Sequence, residues 1–386
     1  MKKTFKKIII LFSIVFILGS CSDPIFFIVS KEIPILKPFI NGSPTNFVVY
    51  NGELYVATGK QIYSYNGDKW SKWDKGSNLN GRIVGLAATT GASASLYALY
   101  LNKDSDDGRI RDCKNGSDLI LSKDQSTKVQ SIYAVEDVLF ACVRNDDNIY
   151  KIHFKKGTSD FAEIPGTFSS TLNGVASDST YYYLCIYQGI YYAEKSQIDD
   201  PSTLPDTLPV LEKDKGFTGI IELKNNYVAA ITNEGILYEI NDLIIREAAK
   251  FTDSRYSTGA LALWYRDIND TMPSLLLAGR KEIYYSTSSA YTNGYVEITL
   301  DTTEGNPAIG RISGSGFSDP GKGAPSSIDD YEHYVSSFGK KPVNHIIQTP
   351  KNIDPKMTLF ASTQQDGVWS YKDRGNGEIW NAEQNK

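Results

Sequence analysis

Residues 53–65 read ELYVATGKQIYSY: a short apolar strand that ends in small residues, a turn at Gly59, and a second strand of aliphatic and aromatic residues. Segments of this kind, rich in β-branched and aromatic residues and bounded by Gly or Asn, are typical of β-strands. The same pattern occurs seven times along the chain. Its copies begin at Leu54, Leu96, Leu139, Tyr182, Tyr227, Leu276 and Leu359.

The copies are separated by 42, 43, 43, 45, 49 and 83 residues. Another apolar strand precedes each copy, as at 46–50, and an outer strand follows several of them, as at 69–73 and 295–298. A unit of four short strands that repeats every 40–50 residues or so is the signature of a β-propeller. The repeat therefore predicts an all-β fold over residues 45–386, a β-propeller of seven four-stranded blades.

Two parts of the repeat are irregular. In the second copy we expect the third strand at 119–121, which leaves a polar loop, 102–117, before it. Ahead of the last copy lie about 40 extra residues, 301–342, rich in Gly, Ser, Pro and Asp. We predict a loop insertion there in preference to an eighth blade, because too few residues remain for the intervening strands. Outside the N-terminus, only 242–250 has a helical period.

The first copy, from Glu53 to Gly67, resembles the propeller repeats of two-component-regulator sensor proteins and kelch-like propellers. In those repeats a strand ending in a small residue leads through Gly to an aliphatic–aromatic pair, and residues 358–371 are similar. The resemblance covers most of the chain but implies the fold alone. Since no kinase or DNA-binding part follows, it does not imply signalling.

The N-terminus carries a separate signal. A basic start is followed by an apolar run at 8–18, which matches the 7–15 residues or so of a signal-peptide core. A membrane-spanning helix needs about 20. The run ends in Leu18-Gly19-Ser20-Cys21, which resembles the lipobox of bacterial lipoproteins. The resemblance implies cleavage before Cys21 and acylation of its thiol; the alternative is an ordinary secretory signal with a chance cysteine.

These features predict three parts: a signal peptide at 1–20, a lipidated segment at 21–44 that packs near the disc, and the propeller at 45–386. Residues 24–40 are too apolar for a solvated linker. We expect the protein in the cell envelope, held to a membrane by lipid on Cys21. Ser22 stands where an Asp would favour retention in the inner membrane, so in a cell with two membranes we expect the outer one.

Composition excludes other classes. The formal net charge of −5 becomes −9 once residues 1–20 and their four lysines are removed, which argues against a nucleic-acid partner. Besides Cys21, Cys113, Cys142 and Cys185 have no disulfide spacing and are expected to be buried small residues. The three histidines lack partners at metal-ligand spacing, so we predict no metal site, no catalytic residues and no cofactor.

Two function classes remain. The first is a binding module for an envelope protein, a polysaccharide or a host surface component. The second is an extracytoplasmic propeller enzyme of the lactonase, glycosidase or lyase type, which would need charged residues converging on the central channel. The missing motifs favour binding.

Topology predicts the binding face. Turns between second and third strands emerge on the same side as the connections between blades, so the loops 102–117 and 301–342 are expected on one face. The candidate contact residues there are Asp104, Asp106, Asp107, Arg109, Arg111, Asp329, Asp330 and Tyr331.

Overall fold

The computed structural model describes residues 38–74, 81–103, 108–121, 128–223, 226–251, 260–265, 269, 274–278, 295–299, 317–318, 343–364, 367–373 and 378–383. The chain divides into two units, Met1–Lys37 and Pro38–Lys386, and all of the described residues belong to the second. Almost all regular structure among them is β-strand. No described helix is long and apolar enough to cross a bilayer.

Seven antiparallel sheets, called blades 1 to 7, follow one another along the chain. Blade 1 has β1 (Val48–Tyr50), β2 (Glu53–Thr58), β3 (Gln61–Tyr65) and β4 (Trp70–Trp73). Blade 2 has β5 (Gly81–Ala88), β6 (Leu96–Asn102), β7 (Gly108–Asp112) and β8 (Ser117–Asp118). Blade 3 has β9 (Val129–Val135), β10 (Val138–Arg144), β11 (Tyr150–Lys156) and β12 (Ala162–Glu163).

Blade 4 has β13 (Leu172–Ser177), β14 (Tyr181–Ile186), β15 (Gly189–Glu194) and β16 (Val210–Lys213), with a helix α1 (Lys195–Asp199) and a 3₁₀ turn (Pro201–Thr203) before its last strand. Blade 5 has β17 (Phe217–Glu222), β18 (Val228–Thr232), β19 (Ile236–Asn241) and β20 (Ile244–Phe251), joined at its edge by β24 (Phe317–Ser318). Blade 6 has β21 (Ala260–Trp264), β22 (Ser274–Ala278) and β23 (Tyr295–Thr299). Blade 7 has β25 (Val343–Gln348), β26 (Leu359–Thr363), β27 (Gly367–Asp373) and β28 (Glu378–Ala382).

The prediction of an all-β propeller with four-stranded blades is confirmed. In each blade the strands pair in chain order, and the first strand lies at one edge of the sheet. Six blades have four strands or more, and blade 6 has three described strands. The described residues therefore contain six complete blades where seven were predicted.

The core lies between neighbouring blades. The second strands are buried along most of their length, as in β10 and β18, because both of their faces are covered by adjacent sheets. Apolar clusters join blades 1 to 5 in succession, blade 6 to 7, and blade 7 back to 1, while β17 of blade 5 contacts β21 of blade 6. The ring is closed, so neighbouring sheets cover one another's faces and only short, protected sheet edges remain.

Glycine in the first strands allows this close approach. A Cβ added to Gly174 of β13 would lie 2.8 Å from Cγ2 of Ile220 on β17, in the next blade. Real Cβ atoms essentially never come this close, so a larger residue would require the Ile220 side chain of blade 5 to shift. The same Gly-aliphatic pair recurs as Gly85-Leu86 and Gly219-Ile220 in other first strands.

Residues 38–44 are the described part of the predicted segment 21–44. Ile40 is fully buried, and its carbonyl accepts a hydrogen bond from the Val368 N–H at 2.9 Å. Gly367 adopts a φ of +80° there, and a Cβ on it would lie 2.3 Å from the Ile40 oxygen. These residues thus lie against β27 of the last blade. Residues 24–37 are outside the described chain, and their packing stays a prediction.

Several strand assignments were wrong. The third strand of blade 2 is β7, inside the predicted loop, and not 119–121. Its alternation buries Gly108, Ile110 and Asp112 and leaves Arg109 exposed, which a core-facing strand requires. The window 242–250, with its helical period, contains most of β20, whose pairing with β19 overrides local propensity.

In blade 6, β23 was expected as the outer strand but pairs directly with β22, where Val296 lies opposite Leu277. The third strand predicted at 283–285 falls outside the described residues. Within the predicted insertion 301–342, β24 is described and pairs with β20 through Phe251 and Phe317. That part of the insertion extends a blade.

Candidate binding site

A cavity of about 810 Å³ lies where the first strands of the seven described sheets meet, and we call it the central channel. Each first strand is the edge strand of its sheet, so its outer N–H and C=O groups are not used within that sheet. An edge of this kind offers hydrogen-bond donors and acceptors to whatever approaches it. The channel is therefore walled by strand edges.

Polar side chains use some of these edge groups to join neighbouring blades. The amide of Asn46 in blade 1 donates to the Leu86 carbonyl at 2.7 Å and accepts from the Leu86 N–H at 2.9 Å. In blade 4, Asn173 donates to the Phe217 carbonyl of blade 5 at 2.8 Å. A buried backbone group without a partner costs about 1–3 kcal/mol, and these side chains avoid that cost between diverging sheets.

Five described first strands carry a β-bulge near their beginning, and the extra residue is polar in four of them. The four polar bulge residues, which we call the channel rim, are Gln130, Asn173, Thr218 and Asn344. All four line the channel; Gln130 and Asn344 are exposed, and the other two are half-buried. In blade 2 the residue in this place is Val84. Bulges redirect side chains and occur often beside functional sites.

The rim belongs to the face that carries the turns between second and third strands and the connections between blades. First strands begin on this face because the connection from the preceding blade enters there. We call it the connection face. The opposite face carries the turns between first and second strands.

The described channel lining contains one histidine and no Asp, Glu, Lys or Arg. That histidine, His345, accepts a hydrogen bond at Nδ1 from the N–H of Phe47 at 3.3 Å, across the junction of blades 7 and 1. Burial disfavours its charged form and lowers the pKa of His345 to about 4. The ring is therefore neutral near pH 7 and serves as an acceptor.

The enzyme alternative required several carboxylates or histidines at a channel mouth, and the described lining does not assemble them. Nor does the described chain hold a group of three or more His, Cys, Asp or Glu side chains placed to bind a metal. The channel provides uncharged hydrogen-bonding groups at its rim and an aliphatic wall along its length. This arrangement can bind an uncharged ligand.

The predicted candidate residues are only partly described. Asp104, Asp106, Asp107, Asp329, Asp330 and Tyr331, together with Cys21, lie outside the described residues. Arg109 is exposed near the beginning of β7, on the connection-face side. Arg111 lies two residues further along and pairs with Asp118 at 3.2 Å on the blade's outer edge. Their shared contact with a partner stays a prediction.

Cys113, Cys142 and Cys185 are free and buried. Burial raises the pKa of Cys113 to about 12 and that of Cys142 to about 11, and it also raises the pKa of Cys185. Reactive cysteines have a lowered pKa and some exposure. These three side chains fill space between blades, Cys142 and Cys185 at matching positions in β10 and β14.

Sequence reasoning missed the rim. The signal available was a polar residue immediately before the small residue of the first strand, as in Asn173-Gly174 and Thr218-Gly219. A bulge shifts the alternation of inward and outward side chains by one residue, and in strands as short as these the shift is hard to recognise from the sequence.

Comparison with known proteins supports the fold. No protein-family model matches the chain, and no curated protein matches it in sequence. One similar solved structure is a chain of the mitotic checkpoint complex, with a TM-score of 0.52 and 12% identity over 88% of this chain and 94% of that one. Another is PorZ, a surface component of the type-IX secretion system of Porphyromonas gingivalis. PorZ has a TM-score of 0.51 and 12% identity over 91% of this chain, which matches 39% of PorZ. At this identity the likeness concerns the fold alone: the chain is a β-propeller with four-stranded blades.

Proposed function

We propose that the protein is a lipid-anchored component of the bacterial cell envelope whose propeller is a non-enzymatic binding module for a protein partner. The observation that carries this proposal is the central channel, with its uncharged hydrogen-bonding rim and no converging charged groups. We further propose that blade 6 has four strands like the others, so that the propeller has seven complete blades. The reason is that β21 lines the channel and packs on β25, as the other first strands pack on their neighbours.

The anchor is supported by the basic start, the short apolar run and the Leu18-Gly19-Ser20-Cys21 sequence. Stable anchoring needs about two acyl chains or more, so loss of the modified thiol should release the protein. We expect Cys21→Ala to leave the chain unprocessed or to move it from the detergent phase to the aqueous phase in a partition experiment. Ser22→Ala is the matched control and should partition like the wild type. Normal cleavage and detergent partitioning of Cys21→Ala would refute lipidation at this residue.

The connection face is the proposed contact surface. Neighbouring turns on it expose apolar side chains, Tyr187 by 43% and Ile149 by 36%. The Tyr187 hydroxyl accepts a hydrogen bond from Asn233 at 2.7 Å, which fixes the ring in place. Rigid, partly exposed tyrosines are common in protein interfaces because they bury a large area at a low entropic cost.

The connection between blades 6 and 7 should contribute to this contact. We expect that replacing residues 319–342 with a Gly-Ser sequence of equal length abolishes crosslinking to the partner in intact cells. The thermal unfolding midpoint should stay nearly unchanged, because β24 and β25 remain. Crosslinking at the wild-type level would show that this connection is not part of the contact surface.

A further inference from the structure

We propose that the central channel binds one extended, uncharged peptide segment of the partner, which enters through the rim on the connection face. This inference rests on the proposed function and specifies the ligand chemistry of the channel. It follows from the size of the channel, the chemistry of its wall and the position of its polar residues.

The size fits one extended chain. The first strands are typically six residues long, as in β13, β17 and β25, which corresponds to about 20 Å at ~3.3 Å per residue. The cavity of about 810 Å³ extends along these strands. In a stacked sheet, one strand occupies about 4.8 Å by 10 Å, or roughly 48 Å². A strand of this length therefore takes up a volume of the same order as the channel, which suits one extended chain.

The wall suits a peptide backbone. Edge strands bind extended peptides by pairing main-chain groups, and the channel is bounded by such edges. Between these groups the half-buried wall is aliphatic, with Val49, Val175 and Ile347 as examples. Small apolar side chains of a peptide can be buried against it. A sugar would bury hydroxyl groups on the same aliphatic surface at a cost of about 1–3 kcal/mol for each unpaired group.

The lack of charged residues in the described channel wall disfavours a ligand with ionised side chains. No Asp, Glu, Lys or Arg is present in the described lining to pair with a charge on the ligand. An unpaired buried charge is far more costly than an unpaired hydroxyl. We therefore expect the bound segment to contain residues such as Gly, Ala, Ser, Thr and Val.

The rim sets the direction of entry. Gln130 and Asn344 are exposed at the mouth on the connection face. The Asn344 side chain makes no hydrogen bond with another described residue, and the Gln130 side chain uses only its Nε2, which donates to the Lys128 carbonyl at 3.0 Å. Both side chains retain groups that can pair with a peptide backbone as it enters.

The test uses the mature wild-type protein and a phage-displayed library of random twelve-residue peptides. The blocked variant is Gln130→Arg/Asn344→Arg, which places two charges at the mouth at exposed positions, where substitutions rarely affect folding. The control, Thr158→Arg/Ser179→Arg, adds the same charge at exposed positions on the opposite face.

We expect the selected peptides to be uncharged and free of large side chains, and to bind the blocked variant at least about tenfold more weakly than the wild type, a difference of about 1.4 kcal/mol. The control variant should bind like the wild type. Enrichment of charged peptides, equal binding to the blocked variant, or no enrichment at all would overturn the inference. If, in addition, the blocked variant still crosslinks to the partner in cells, only the channel inference fails and the proposed function stands.

Discussion

Replacing Phe360 with alanine should lower the free energy of unfolding by about 3–5 kcal/mol. Phe360 is fully buried at the junction of the last and first blades. Its ring lies 4.9 Å from that of Tyr65, 5.3 Å from that of Trp70 and 6.3 Å from that of Phe47, all in blade 1 or the residue preceding it. Truncation removes this contact and leaves a cavity where the ring of blades closes. Chemical denaturation followed by tryptophan fluorescence measures the loss.

The control is Phe39→Ala. Phe39 is 36% exposed and makes one edge contact, with Tyr63 at 5.6 Å. We expect a smaller loss than for Phe360→Ala, since Phe39 buries less apolar area and its edge contact adds only about 0.5–1.5 kcal/mol beyond that area. If Phe360→Ala cost no more than Phe39→Ala, the junction of blades 7 and 1 would not be a stabilising contact in solution.

Lowering the pH from 7 to 4 should reduce stability by at most about 3 kcal/mol through His345, which is half-buried in the channel wall. The pKa of His345 is about 4 in the folded chain, against 6.5 for an unperturbed histidine. As the pH falls below 6.5 the unfolded chain takes up a proton that the folded chain refuses, so stability decreases until about pH 4. Below that value both states are protonated and this loss ends.

His345→Asn isolates the effect. The asparagine oxygen can still accept the Phe47 N–H bond but does not titrate. His153 is also buried, and desolvation lowers its pKa, so the wild type and the variant share its contribution. We expect the wild-type and variant stabilities to diverge between pH 7 and pH 4, in the variant's favour. Parallel pH profiles would contradict this role for His345.

The fold was largely predictable from the sequence because each blade repeats the same order of buried apolar and exposed polar residues. All seven second strands were predicted where they occur, since their two buried faces give an apolar run that ends in small residues, as at 139–142 and 182–185. First strands were located from the same repeat. These signals depend on packing that every blade shares.

The errors arose where pairing and local pattern disagree. In β7 the buried positions are filled by Gly, Ile and Asp, and only one of these three is apolar. In β20, Ala248 and its neighbours have good helix propensity, yet β19 offers an unpaired edge. Tertiary pairing decides both cases, and a single sequence does not show it.

The candidate channel site was not predicted from the sequence. Topology predicted a contact face, which stays a prediction, and the candidate residues were chosen from the acidic loop at 104–107 because of its charge. The uncharged rim depends on a one-residue bulge in each of four strands, and its significance comes from four copies meeting around one axis. In the sequence, a neutral amide such as Asn344 has no charge and belongs to no motif that would mark it as a site residue.

The most direct test of the account compares two positions on one blade. Asp147, in the turn between β10 and β11, and Asp160, in the turn between β11 and β12, are both exposed aspartates of blade 3 on opposite faces of the propeller. Each is replaced in turn by a photo-crosslinking residue in the full-length protein, and intact cells are irradiated. We expect a crosslink to one discrete envelope protein from position 147 and none to that protein from position 160. A crosslink to that protein from position 160 alone, or from neither position, would contradict a binding module that works through its connection face.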